Sequence, residues 1–350
     1  MCKITGIKYD ISFHEEVAYS IAHGTSLIGK RSITLMKTCG VVKAGNAVIG
    51  SLCSGVNAGF VILAFNDKGG LSSDCLFNVN EMFNGLGIPH HLSNVNNIYN
   101  EIFSCFKESE NIKLPVVLII DSSNMNIECH FECKKLPLTK LEYTRNPYQH
   151  IVVPPVNVYQ KKILDLKRNN RDWQNVEIPI LPQIPKDLTF DIWRNTAIQY
   201  HQLFKVFKNI RGDIVTGDSG VSAFFGFPPY DCIDMLTYFG GSIPLAIGSY
   251  LGGHKNVWAV TGDFTFIAAG HLGLIEAVSR KTPIKILILD NGQSACTGGH
   301  DIRDNTLDTL LEGYRKYVSY IKNPQDPNEI MSILTQANND IQLNIVVAKY

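Results

Sequence analysis

Short runs rich in valine, isoleucine and leucine, each followed by a stretch of helical periodicity, recur toward both ends of this chain. Toward the N-terminus they are Ser32–Lys37, Phe60–Asp67 and Pro115–Asp121. Beyond about residue 190 they are Asp213–Thr216, Val257–Thr261, Ile284–Asp290 and Ile341–Ala348. A strand that reads as continuously apolar is buried on both faces, as in parallel sheets covered by crossover helices. The pattern predicts an α/β fold with two doubly wound parallel-sheet domains. Between them Pro137, Pro147, Pro154, Pro155, Pro179, Pro182 and Pro185 punctuate a polar stretch. That stretch predicts an extended linker with one helix near Gln160–Lys167. The expected division is residues 1–124, a linker over 125–189, and residues 190–350.

Charge and cysteine usage narrow the function classes. Lys plus Arg and Asp plus Glu each number 32, so no global field points to nucleic acid or an anionic membrane. No apolar run approaches the roughly 20 residues that span a bilayer. The opening MCKITGIKYDISFHEE lacks the apolar core of a signal peptide. The nine cysteines are dispersed and form no CxxC pair, which predicts reduced thiols and a cytoplasmic setting. The closest two, Cys129 and Cys133, lack a second pair to complete a metal site.

The sharpest chemical signal lies between Asn256 and His300. Gly262-Asp263 ends one expected strand, about one helix follows, and Asp290-Asn291 ends the next. In a parallel sheet the carboxyl ends of neighbouring strands face one crevice, where ligands bind. Asp263 and Asn291 are therefore expected to aim oxygens at a common point, with the Gln293 carbonyl as a further ligand. Such a set suits Mg²⁺, which takes about six oxygens and shares its shell with phosphates. Gly262 allows close backbone approach, and the helix from near Thr265 offers its N-terminal amides to a phosphate. Gly-Asp and Asp-Asn are also ordinary turn and cap dipeptides, so the spacing and placement carry the signal.

A Gly-Asp-x triplet, then 24 to 27 residues, then an asparagine is the signature of thiamine-diphosphate enzymes. Here 26 residues separate Phe264 from Asn291, and Phe264 takes the third position, usually a glycine. The words GDFTFIAAGHLGLIEAV, LILDN and TGGH resemble the α subunit of indolepyruvate:ferredoxin oxidoreductase. TGDSGVSAFFG at Thr216–Gly226 and YFGGSIPLAIG at Tyr238–Gly248 are similar to it as well. The resemblance implies a diphosphate- and Mg²⁺-binding domain. In it Asp218, Ser219 and Gly220 lie near the diphosphate, while Gly240, Gly241 and Ser242, with Gly262, Asp263, Phe264, Thr265 and Asn291, line the cofactor. For Gly240 and Gly241, close helix–strand packing is an equal reading.

The N-terminal segments SFHEEVAYSIAHGTSLIGKRSITLMK and SGVNAGFVILAFND resemble the same family's pyrimidine-binding domain. Thiamine is activated when a carboxyl group hydrogen-bonds its aminopyrimidine ring and shifts the tautomer. The resemblance places that carboxyl at Glu15. Its neighbour Glu16 projects about 100° away on a helix, and both acids also suit a helix N-terminus. Thr38 and Cys39, after a strand end, are expected on the substrate side. His300, after the metal loop, is expected to act on substrate. Both halves of the family's site are present, which implies a homodimer or dimer of dimers with the site between chains. The connector YTRNPYQHIVVPPVNVYQKKILDLKR fits the family too.

Four departures shape the expected reaction. The family's middle domain does not fit between Arg168 and Asp213, and no cysteine-rich ferredoxin segment is found. TFDIWRNTAIQYHQ at Thr189–Gln202 replaces a Cys-x-x-Cys-Pro-His-like stretch, and Ala268 replaces an expected histidine. With no clusters to carry electrons away, the expectation is a non-oxidative decarboxylase or carboligase acting on a 2-oxo acid, with a carbonyl acceptor in the second case. Alternatives are a subunit of a 2-oxoacid:ferredoxin oxidoreductase whose clusters lie on a partner chain, and a non-catalytic cofactor-binding scaffold. Among other candidates, His90-His91 read as loop histidines, one packed and one solvated. His23 is expected partly buried, His271 packed in its helix, and Cys296 without the surroundings of a reactive thiolate.

Overall fold

The computed structural model describes residues 10–128, 130 and 141–350. The readings on Cys2, Cys129, Cys133 and Pro137 lie outside the described residues.

The first unit runs α1 (Glu15–Leu27), β1 (Ser32–Lys37), α2 (Thr38–Lys43), α3 (Gly45–Ser54), β2 (Phe60–Asn66), α4 (Val79–Leu86), β3 (His90–Leu92), α5 (Ile98–Ile112) and β4 (Val116–Asp121). Its strands form a parallel sheet in the order β1-β2-β4-β3. The central strands β2 and β4 are buried almost throughout, as unbroken β-branched runs require. β1 lies at the edge, and there Ile33 and Leu35 face outward. The short β3 corrects the loop reading of His90-His91: both sit in a strand paired with β4. Three residues carrying two polar side chains give no strand signal. His90 is half-buried against Phe83, and exposed His91 meets Glu108 at 2.6 Å.

The connecting stretch holds α6 (Asn157–Arg168). It is anchored rather than free, because the Gln160 amide donates to the carbonyls of Tyr148, Gln149 and Ile151. Ile151, Val153 and Val156 join the core of the second unit, while Leu164 joins that of the first.

The second unit contains α7 (Asp191–Phe207), β5 (Ile214–Thr216), α8 (Ser242–Leu251), β6 (Val257–Gly262), α9 (His271–Ser279), β7 (Lys285–Asp290), β8 (Val318–Ile321), α10 (Pro327–Asn339) and β9 (Asn344–Lys349). Its parallel sheet has the order β8-β9-β7-β6-β5. Helical turns from Asp263 lead through a π turn at Phe266–Gly270 into α9. β8 is half-buried and gives no continuous apolar run, so its sequence does not announce it.

The two units meet through α1 and α8. Val17 and Ile21 of α1 share one core with Ile243, Leu245, Ala246 and Ile247 of α8. The Thr25 hydroxyl donates to the Gly248 carbonyl at 2.9 Å, and Ser20 Oγ stands 2.5 Å from Tyr238 Oη. Among the described residues no helix is long and apolar enough to cross a membrane.

Candidate active site

Strands β6 and β7 are parallel neighbours, with Gly262 opposite Leu289. Asp263 and Asn291 therefore follow adjacent carboxyl ends. The Asp263 carboxylate is almost fully buried. Its Oδ1 accepts from the Phe264 amide at 2.7 Å, and its Oδ2 accepts from the amides of Asn291 at 3.0 Å and Gly292 at 2.7 Å. One side chain thus ties the two strand ends together. Burial pushes its carboxyl well above the ordinary carboxylate range, with the nearby Asp290 carboxylate adding to the rise and the three amides opposing it.

The donor set fits a hard cation. Oδ2 already takes two amides, so Oδ1 retains the freer lone pair. Asn291 Oδ1 accepts one amide, from Gln293 at 3.2 Å, and keeps its second lone pair. A buried carboxylate with a second carboxylate nearby is the environment a divalent cation stabilises. Space is present too: a Cβ on Gly262 or Gly292 would meet nothing within 4 Å.

Above these strand ends lies a cavity of about 360 Å³. Ser219, Gly220, Gly262, Asp263, Phe264, Thr265, Asn291 and Gln293 line it, all of them residues singled out in the sequence. Cys296 lines it as well; partial desolvation raises its thiol to about 11, which leaves no thiolate.

Other candidates stand elsewhere. Asp218 is wholly buried and does not line the cavity; its carboxylate accepts from the amides of Gly240 (2.6 Å) and Ser219 (2.9 Å) and the hydroxyls of Ser242 (3.0 Å) and Thr261 (3.2 Å). Burial outweighs those bonds and holds its carboxyl up at about 6. Asp218 fastens the β5, β6 and α8 loops to one another. Gly240, at φ +89°, packs against Ala269, where a Cβ would lie 2.6 Å from that methyl; a Cβ on Gly241 would meet the Tyr238 ring at 2.7 Å. Both glycines serve close packing. His300 is exposed in a two-residue strand paired with Gln293–Ser294 and is not on the cavity wall.

Glu15 opens α1, and its side chain is 40 % exposed. It sits 3.3 Å from Lys43 Nζ and packs on Gly40, where a Cβ would come within 2.9 Å of its Cγ. Partial burial raises its carboxyl, but the backbone hydrogen bond and Lys43 outweigh it and hold it below the usual value. Glu16 turns inward, accepts the Ala47 amide at 3.3 Å and is pushed up by burial. Neither lines the cavity, whose wall holds no residue before Val152. Thr38 borders a separate small cavity of about 150 Å³ with Asn66, Asp67 and Cys75; Cys39 is half-buried.

The sequence reading missed one wall. Trp193, Thr196 and Tyr200 of α7 border the cavity, with Val152–Pro154 from the connector. Positions 193, 196 and 200 share a helix face, which is the signal that was available. His23, expected partly buried, is fully buried, with Nε2 2.9 Å from the Gly55 carbonyl.

Residues 216–338 match the family model described as thiamine pyrophosphate enzyme, C-terminal TPP binding domain, and the chain carries that domain. It is also partly homologous to indolepyruvate oxidoreductase subunit IorA. Identity is 38% over 72 residues with the subunit of Methanothermobacter marburgensis, covering 21% of this chain and 12% of the relative. With the subunit of Archaeoglobus fulgidus it is 29% over 166 residues, covering 44% of this chain and 26% of the relative. The matches thus span about a quarter or less of the curated relatives' length. In fold the chain is similar to the thiamine diphosphate-dependent 4-hydroxybenzoylformate decarboxylase of Rhodococcus jostii RHA1, at TM-score 0.64 and 14% identity over 99% of this chain and 93% of that one. It is also similar to a putative thiamin diphosphate-dependent enzyme of Mycobacterium smegmatis, at TM-score 0.62 and 12% identity over 97% and 91%.

Proposed function

We propose that this protein holds thiamine diphosphate through Mg²⁺ and catalyses non-oxidative decarboxylation of a 2-oxo acid, or ligation of the resulting fragment to a second carbonyl. The observation that carries the reading is the convergence of Asp263 and Asn291 on adjacent strand ends, with Asp263 buried and bonded to the Asn291 amide. Asp263 Oδ1, Asn291 Oδ1 and the Gln293 carbonyl would hold the cation, and Ser219, Gly220 and Thr265 would border the diphosphate. When bound, the coenzyme supplies an electron sink beside the scissile carbon–carbon bond.

The rest falls to the chain's own residues. Glu15 would hold or release a proton at the aminopyrimidine, and its ion pair with Lys43 favours the carboxylate. Since Glu15 does not line the cavity, a second copy of the chain would bring its Glu15 to the site, making the working unit a homodimer or dimer of dimers. Thr38 and Cys39 lie near Glu15 on the pyrimidine side and would face the substrate. His300, on the exposed loop past the metal ligands, would reach substrate only if that loop closes.

The test is turnover of assorted 2-oxo acids with thiamine diphosphate and Mg²⁺ alone. CO₂ with an aldehyde or a ligated product is expected. Release of CO₂ only after a ferredoxin or a redox dye is added would reject the reading. A second reading, an oxidoreductase subunit with clusters on a partner chain, is favoured by the homology to IorA. Copurification of an iron–sulfur protein with the native complex would support it.

A further inference from the structure

Helix α7 occupies the segment where resemblance to the oxidoreductase family breaks down, and it walls the cavity above Asp263. Among the described residues, Asp263 is the sole charged side chain on that wall; no lysine, arginine or histidine lines it. A polyphosphate entering there is neutralised by a metal ion alone, and its remaining oxygens must be met by neutral donors. The threonine hydroxyls of the wall are already engaged. Thr196 donates to the Ile192 carbonyl, Thr265 to the Ser219 carbonyl, and Thr297 to Ser294.

Tyr200 differs. It is 4 % exposed, and its ring is clamped between Phe225 and Tyr350, at centroid distances of 6.4 Å and 4.7 Å. No hydrogen-bond partner is found for its hydroxyl among the described residues. Tyr200 lies on the cavity wall, so a hydroxyl without a partner in the chain is left to donate to what binds there.

We propose that Tyr200 is a cofactor-binding residue whose hydroxyl donates to a phosphate oxygen of the metal–diphosphate complex. This rests on the cofactor reading above and adds a residue to it. A phenol is protonated at neutral pH, with an ordinary pKa near 10, and so can donate. The clamped ring means that little rotamer entropy is lost on binding. Trp193, on the same helix face, gives the cavity an intrinsic fluorophore.

The test compares wild type with Tyr200→Phe, using Mg²⁺ with inorganic diphosphate and Mg²⁺ with thiamine diphosphate. Affinities come from calorimetry and from Trp193 fluorescence, with Trp193→Phe as the control that removes the optical signal. Tyr200→Phe is expected to weaken both complexes about tenfold or more, the usual effect of losing a hydrogen bond to a charged group. Its ligand-free melting temperature should equal or exceed that of wild type, because the hydroxyl it removes has no partner. Equal affinity of the two proteins would overturn the assignment while leaving the cofactor reading intact. A ligand-free variant that melts clearly lower would also overturn it, by showing that the hydroxyl serves the fold. Wild type that takes up neither complex would overturn both.

Discussion

Gly24 of α1 lies so close to Leu245 of α8 that a Cβ on it would stand 2.5 Å from the Leu245 carbonyl oxygen. Gly248 reciprocates, since its Cβ would fall 2.1 Å from the Ile21 carbonyl oxygen. These clashes are with backbone, so no side chain can swing aside. Gly24→Ala and Gly248→Ala are each expected to destabilise the protein by about 1–3 kcal/mol, the usual cost of overpacking a tight contact. Urea titration reads this as a lower midpoint at unchanged slope. An unshifted midpoint for both would mean that the helices do not touch there.

Asp263→Ala removes the acceptor of three backbone amides and the carboxylate proposed to hold the cation. Mg²⁺-dependent uptake of thiamine diphosphate by calorimetry is expected to fall on the order of a hundredfold or more, as for loss of a hydrogen-bonded charge. Uptake that is unaffected by the substitution would place the metal elsewhere.

Glu15→Gln keeps the size of the side chain and removes its proton chemistry. Coenzyme affinity is expected to stay within a few-fold of wild type, while turnover drops about 10²- to 10⁴-fold, the range for loss of a general acid–base group. Because the Glu15–Lys43 pair is half exposed, breaking it should cost less than about 1 kcal/mol of stability. A large fall in melting temperature would show Glu15 to be structural instead.

His23 and His150 give the fold a calculable pH dependence. Both are buried, which holds His23 down to about 4 and His150 down to about 3, the latter also pressed by His23 and Lys167. Lys113 and Lys167 stand nearby, and burial lowers Lys167 to about 8. An unfolded histidine titrates near 6.5, so below that pH the unfolded chain binds more protons than the folded one. The contribution of the two histidines is therefore full above pH 6.5 and is lost as pH drops toward 3. Denaturation series at pH 7, 6 and 5 should show the decline, and His150→Leu should flatten it. A variant with the same slope as wild type would refute the assignment.

How much could be read beforehand follows from physical range. β2, β4, β6 and β7 announced themselves because strands buried on both faces must be apolar at every position. Asp263 and Asn291 were legible because adjacent parallel strands bring their ends together whatever lies between. Asp218 stands out in the sequence, but its four hydrogen bonds, which make it a fastener of loops, depend on how the β5, β6 and α8 loops converge. The stripe at 193, 196 and 200 was visible as a helix face, yet that spacing equally marks a core-facing side, and Tyr200 does join the core. β3 and β8, short or half-polar, borrow their order from neighbours and leave little trace in local composition.

The cavity over Asp263 has one more consequence. A chamber whose described wall lacks any positive side chain hands its counter-ion over to the surrounding solution. On the reading proposed here, its filling follows the supply of free divalent ion as closely as that of the vitamin, and a chelator would empty it while the coenzyme remains abundant.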